Sequence, residues 1–104
     1  MKVMFISDLH GSYYWANKAI EKYHEEKADK LIILGDILYH GPRNDLPKDY
    51  NCKKVIALLN PLKKDIIAVR GNCDSEVDQM VLDFPMRSDY ALMDVDQHHF
   101  FMTH

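Results

Sequence analysis

Several apolar segments of this 104-residue chain are each followed at once by side chains that bind metals. In chain order these side chains are Asp8 and His10, then Asp36, then Asn72, and last His104. Continuous apolar segments are typical of strands covered on both faces, and open α/β sheets bind ligands beyond the carboxyl ends of their strands. The pattern therefore predicts strands that bring carboxylate, amide and imidazole groups to one edge of a sheet.

The spacing of Asp8 and His10 would allow both side chains to bind the same metal ion. On an extended backbone, residues separated by one position leave the same face, and neighbouring parallel strands lie about 4.8 Å apart. Mixed oxygen and imidazole donors favour Mn, Zn or Fe(II) over Ca or Mg. Two such ions about 3.5 to 4 Å apart would polarise a phosphoryl oxygen and convert a bridging water into hydroxide. These residues point to metal-dependent phosphoester hydrolysis without a protein nucleophile.

The elements that must position these ligands alternate between strand and helix. Ser12, Asn51 and Ser75 are candidate helix N-caps, and Asp78 stands where it can complete a capping box with Ser75. The third helix would run to about Leu82. The predicted strands are Lys2–Ser7, Leu31–Leu34, Ile66–Arg70, Tyr90–Asp94 and His98–Thr103, with Pro61 just beyond the second helix and Val95–Gln97 joining the last two strands. This order predicts an α/β fold with parallel central strands and a carboxyl-terminal antiparallel hairpin.

The composition argues against two classes of partner. The formal net charge is −3, and no basic tract is longer than a Lys-Lys pair, so a nucleic-acid-binding surface is not expected. No apolar segment approaches the ~20 residues of a membrane helix, and the one before Asp8 is short for a signal peptide. We therefore expect a cytoplasmic protein with no membrane partner and with Cys52 and Cys73 reduced.

The ligand clusters resemble the fingerprint of the calcineurin-like metallophosphoesterases. That family carries DxH, then GD, then GN followed by His or an acidic residue, then a His, and finally GHxH; here SDLHG, LGD, RGNCD and TH match in order. The HGPRN and RGNCDSEVDQM segments narrow the resemblance to small bacterial phosphodiesterases of the YfcE type. The likeness extends over the whole chain.

The resemblance implies a phosphodiesterase acting on small phosphodiesters with two divalent metal ions. Asp8 and His10 would bind the first ion, Asp36 would bridge both, and Asn72 and His104 would bind the second. Manganese is the favoured metal, with zinc, iron or nickel as alternatives. The implied fold is the amino-terminal portion of an α-β-β-α sandwich. Asp36 and Asn72 are accordingly expected to be catalytic as well as metal-binding.

Two further residues are catalytic candidates. Cys73 stands where most family members carry a histidine that is thought to protonate the leaving group. A thiol with an ordinary pKa of about 8.5 is a weaker acid than imidazolium, so Cys73 predicts a preference for aryl leaving groups. Arg70, at the end of the third strand, could hold a phosphate, and pairing with a nearby carboxylate is an equal alternative.

The family's GHxH pattern is absent from these residues, so each metal lacks one expected histidine. We therefore expect a single, incomplete domain over residues 1–104 with weakened metal binding. A non-catalytic interaction module and an inactive fragment are alternative functions. A strand edge and an apolar face left open near His104 predict a homo-oligomer. Asp74 could orient a metal ligand or start the helix that Ser75 caps, and the second role is favoured. His40 and Arg43 could contact substrate, but solvated loop positions are favoured for them.

Overall fold

The computed structural model of the chain describes residues 1–104 without a gap and shows a mixed α/β fold. No helix in it combines the length and the apolar character needed to cross a membrane. The elements in chain order are β1 (Val3–Ile6), α1 (Tyr13–Glu25), β2 (Lys30–Ile33), α2 (Cys52–Leu59), a 3-10 helix (Asn60–Asp65), β3 (Ile66–Ala68), α3 (Glu76–Val81), β4 (Tyr90–Val95) and β5 (His98–Thr103).

The first three strands form a parallel sheet, as the sequence predicts, and their order in it is β1-β2-β3. The central strand β2 is covered on both faces, since Leu31, Ile32 and Ile33 are each 0% exposed. In register, Ile33 lies between Ile6 of β1 and Ala68 of β3. All three strands therefore end at one edge of the sheet.

The helices begin where the sequence places their caps. The Ser12 hydroxyl accepts a hydrogen bond from the Trp15 amide at 3.2 Å, and the Asn51 side chain accepts one from the Lys54 amide at 3.1 Å. Pro61 lies just beyond α2, as predicted, and occupies an early position of the 3-10 helix that follows. Proline is tolerated at the first positions of a helix, where its missing N–H has no partner to lose.

The last two strands form an antiparallel hairpin with a turn shorter than predicted. Val95 pairs with His98 and so belongs to β4, which leaves Asp96 and Gln97 as the turn. Both turn residues have positive φ, at 49° and 69°. That conformation matches the right-handed twist of the flanking strands in two-residue hairpins.

The two faces of this hairpin differ in burial. Met102 is 3% exposed, and the Phe100 ring lies 5.9 Å from the Phe5 ring on the parallel sheet. On the opposite face, Tyr90 and Phe101 stack at 5.3 Å, and Phe101 remains 66% exposed. An apolar face is therefore open, and the homo-oligomer stays a prediction.

Candidate metal centre

The loop after β1 is held against the loop after β2 by backbone hydrogen bonds. The Asp8 amide donates to the Gly35 carbonyl at 3.0 Å, and the His10 amide donates to the Asp36 carbonyl at 2.9 Å. Asp8, His10 and Asp36 all have positive φ, at 59°, 49° and 56°. The prediction of an extended backbone at Asp8 and His10 is therefore wrong, because the chain turns sharply here to enter α1. Such backbone strain is common at functional sites.

Asp36 lies at the centre of the ligand cluster, and its side chain is 3% exposed. Its Oδ2 atom lies 3.6 Å from Nε2 of His10 and 3.3 Å from Nε2 of His104. Its Oδ1 atom accepts a hydrogen bond from the Cys73 amide at 2.8 Å. One buried carboxylate oxygen thus lies between two imidazole nitrogens, which is the position expected for a ligand shared by two metals.

Backbone carbonyls orient both imidazoles. Nδ1 of His10 lies 2.8 Å from the Tyr39 carbonyl, and Nδ1 of His104 lies 2.6 Å from the Leu34 carbonyl. Since a carbonyl only accepts, Nδ1 of each ring must donate, and in the neutral ring Nε2 keeps its lone pair. Such a partner on the far nitrogen is the usual support of a metal-binding histidine.

The predicted ligands come together, although their grouping differs in detail. One compact group contains Asp8, Asp36 and His104, the other contains His10, Asp36 and Cys73, and the ligand atoms in each lie within 4.8 Å of one another. The Asn72 Oδ1 atom lies 2.8 Å from Nε2 of His104. Oxygen and imidazole donors in two groups that share Asp36 fit a pair of divalent ions.

Asp74 has a different role from the one predicted. Its carboxylate is buried and accepts hydrogen bonds from the amides of Asp36 at 2.8 Å, Ile37 at 3.0 Å and Gly71 at 2.7 Å. Asp74 therefore joins the loops after β2 and β3, and the favoured prediction that it merely starts α3 is wrong. The one available signal in the sequence was a carboxylate close behind the Gly-Asn pair.

The ligands open into a pocket of about 750 Å³. Arg43, expected as a solvated loop residue, is exposed but lines this pocket. Arg70 is exposed and is not among the lining residues; its backbone amide donates to the Ser88 carbonyl at 2.8 Å. The lining comprises Asp8, His10, Asp36, Tyr39, Gly41, Pro42, Arg43, Asn44, Asn72, Cys73, Asp74 and Ser75.

The charged groups of the cluster perturb one another. Burial raises the pKa of Asp8, but the Ser7 hydroxyl, His104 and His10 outweigh it and leave that pKa below its ordinary value. The hydrogen bond to the Leu34 carbonyl raises the pKa of His104; desolvation opposes the rise, and Asp36 and Asp8 add to it. In the metal-free chain His104 thus holds its proton above the usual range.

We expect metal affinity to increase with pH across the titration of His104. Protonated Nε2 cannot bind a metal, so binding below the raised pKa must displace a proton. Calorimetric titration with Mn²⁺ on both sides of pH ~6.5, in two buffers of different ionisation enthalpy, measures the affinity and the protons released. The substitution His24→Gln, at an exposed position of α1, should leave this dependence unchanged.

The raised pKa of His104 also makes the stability of the metal-free fold depend on pH, but this stability falls with rising pH whereas metal affinity increases. Protonated His104 stabilises the folded chain below the unfolded-state pKa, and this contribution is lost as pH rises through the higher folded-state pKa.

A Mn²⁺ affinity that does not change between pH ~6 and ~8 would contradict the assignment of His104 as a ligand.

Comparison with known proteins agrees with this geometry. The sequence model of the calcineurin-like phosphoesterases matches residues 1–102. Phosphodiesterase YfcE of Escherichia coli K12 is 47% identical over 104 residues, which are 100% of this chain and 56% of that protein. The symmetrical bis(5'-nucleosyl)-tetraphosphatase of Buchnera aphidicola subsp. Schizaphis graminum is 36% identical over 75 residues, covering 71% of this chain and 24% of that protein.

A solved structure gives the same result. The phosphoesterase Yfce from E. coli superposes with a TM-score of 0.97 at 47% identity, and the match covers 100% of this chain and 57% of that one. The chain therefore spans somewhat more than half the length of the E. coli phosphodiesterase, and within that span it has the mixed parallel and antiparallel fold of that solved structure. The ordered ligand clusters, the family match and the superposition lead to one conclusion: the chain belongs to the calcineurin-like phosphoesterase family.

Proposed function

We propose that this chain contributes the main part of a phosphodiesterase site that uses two divalent metal ions, manganese first among them. The observation that carries the proposal is the position of Asp36 Oδ2 between the Nε2 atoms of His10 and His104. Asp8 and His10 would hold one ion, and Asn72 and His104 the other. When bound, such ions polarise the phosphoryl oxygen and lower the pKa of an attacking water.

The residues of the chain supply position and charge. The two carboxylates Asp8 and Asp36 give the edge the negative charge that retains cations, and the Asp74 hydrogen bonds fix the loop that carries Asp36. Asn72 Oδ1, next to His104, offers a neutral oxygen on the pocket side. We propose that residues 1–104 belong to a single domain. Arg70 lies outside this lining, and we propose for it only an auxiliary part in holding phosphate.

Cys73 sets the acid chemistry available to the leaving group. Burial raises the pKa of its thiol, and the carboxylates of Asp36, Asp74 and Asp8 raise it further, against the opposing charge of Arg43. In the metal-free chain the thiol therefore stays protonated at neutral pH, and a thiol is a much weaker acid than imidazolium. Such a site gives little protonation to a poor leaving group, such as an alkoxide.

We expect aryl phosphodiesters to be hydrolysed at least ~100-fold faster than alkyl ones, because a matched general acid contributes about 10²- to 10⁴-fold for a poor leaving group. The measurement is turnover of a series of methyl aryl phosphates of rising phenol pKa, with dimethyl phosphate as the alkyl limit. A metal-free sample in chelator should show no turnover. Equal rates for aryl and alkyl esters would refute the assigned role of Cys73.

A non-catalytic interaction module is a second candidate, favoured by the open hairpin face on which Leu92 is 71% and Phe101 66% exposed. The two functions differ in metal stoichiometry and turnover. Two bound ions with hydrolysis of bis(p-nitrophenyl) phosphate would exclude the interaction module. A chain that binds no metal at this edge would exclude the phosphodiesterase.

A further inference from the structure

The pocket lining contains one arginine and no lysine, and that arginine has no partner. None of the ion pairs in the structure involves Arg43, and no hydrogen bond restrains its guanidinium. Asp74, which lines the same pocket, already accepts hydrogen bonds from three amides. Arg43 is thus an uncommitted positive charge facing a pocket whose other charged groups belong to the metal-binding edge.

The turn that carries Arg43 is held in a defined place. The Asn44 side chain donates to the His40 carbonyl at 2.9 Å, which closes the turn. Gly41 has a φ of +89°, and a Cβ atom there would lie 2.8 Å from Asn44 Nδ2 and 3.3 Å from Cys73 Sγ. The missing side chain at position 41 therefore lets the turn lie directly against Cys73.

The same loop is also tied to the ligand cluster. The Tyr39 carbonyl accepts from Nδ1 of His10 at 2.8 Å, so the start of the loop shares a hydrogen bond with a candidate metal ligand. Arg43 lies four residues after Tyr39, and no hydrogen bond or ion pair ties its side chain to the rest of the fold. Its position fits a group that receives substrate.

The pocket has room for more than the scissile phosphate. At about 750 Å³ it is as large as many small-molecule sites, whereas a phosphate group needs only a small part of that volume. A phosphodiester linkage carries one negative charge, which the metal-binding edge would receive. The guanidinium fork suits a second oxyanion, because it can donate two parallel hydrogen bonds to it.

We propose that Arg43 is a specificity-determining residue that binds a second phosphate group, carried on an ester arm of the substrate. This inference rests on the proposed phosphodiesterase function of the same pocket. It predicts that the chain discriminates between ligands by the charge of the arm that lies over the turn of residues 41–44.

A matched pair of nucleotides tests the proposal without relying on turnover. Thymidine 3',5'-bisphosphate and thymidine 5'-monophosphate differ by one phosphate, and calorimetric titration of each into Mn²⁺-loaded chain measures the preference. We expect the bisphosphate to bind about 10-fold or more tightly to the unaltered chain, as a charge-assisted pair allows. Arg43→Gln should reduce the preference to about 3-fold or less, and Arg43→Lys should retain part of it.

The control is Arg87→Gln, which removes an equal charge from an exposed arginine that pairs with Glu76 outside the pocket lining. This variant should keep the preference. An unaltered chain without preference, or an Arg43→Gln variant that keeps it, would overturn the inference. Hydrolysis of bis(p-nitrophenyl) phosphate is measured in parallel. Turnover without a preference for the bisphosphate refutes only the second-phosphate role of Arg43. A preference for the bisphosphate without turnover supports that role and refutes the proposed hydrolysis.

Discussion

The substitution Asp36→Asn is expected to abolish metal-dependent turnover and to weaken metal binding at both candidate positions by more than ~100-fold. Changes to groups that merely support a ligand already cost 10- to 100-fold, and Asp36 Oδ2 is the one oxygen that lies within 3.6 Å of both His10 and His104. An amide cannot supply the anionic oxygen. Metal content after dialysis and calorimetric Mn²⁺ titration measure the loss.

The fold itself should survive this change. The asparagine oxygen can still accept from the Cys73 amide, as Asp36 Oδ1 does at 2.8 Å. Asp45→Asn, at an exposed position of the same loop, is the matched control and should retain metal and activity. Retention of two tightly bound ions by Asp36→Asn would show that Asp36 does not bridge them.

The substitution Asp74→Ala is expected to lower the free energy of unfolding by about 3 to 5 kcal/mol. The amides of Asp36, Ile37 and Gly71 lose their common acceptor, and unsatisfied buried donors cost about 1 to 3 kcal/mol each. That loss is a large share of the 5 to 15 kcal/mol typical of a folded domain. Urea unfolding of the metal-free chain measures it.

Two further variants sharpen the test of Asp74. Asp74→Asn keeps one acceptor oxygen and should fall between alanine and the unaltered chain. Asp83→Ala, at an exposed carboxylate with no hydrogen-bond partner, should change the unfolding free energy by less than ~0.5 kcal/mol. An Asp74→Ala chain as stable as the Asp83 variant would mean that water or the backbone satisfies those amides.

The fold was largely predictable because its strands are covered on both faces. A strand such as β2 has no polar side to interrupt its apolar segment, so Leu31–Ile33 stands out in the sequence and is fully buried in the structure. Caps at Ser12 and Asn51 were predictable for a local reason, since the side chain bonds an amide three residues away. The one-residue error at Val95 arose because ladder pairing depends on the partner strand.

The site was predictable only where its chemistry lies in side chains of distinctive type. The convergence of Asp8, Asp36 and His104 could be predicted from residue type and order. The Tyr39 and Leu34 carbonyls that orient the histidines could not, because every residue has such a group. Asp74 was misjudged for a related reason, since its three donors lie in two loops that meet only after folding.

The assembly of the site depends on contacts between distant parts of the sequence. The hydrogen bond from His104 to the Leu34 carbonyl joins residues 70 positions apart, and the Cys73 amide reaches Asp36 across 37 positions. Closing such loops is entropically costly and slows folding, so the complete cluster forms only when most of the chain is already ordered. A metal that binds this late arrangement stabilises it by mass action, by about 2.7 kcal/mol at 100 times its dissociation constant. The ion that serves the chemistry would thereby also select the correctly folded chain.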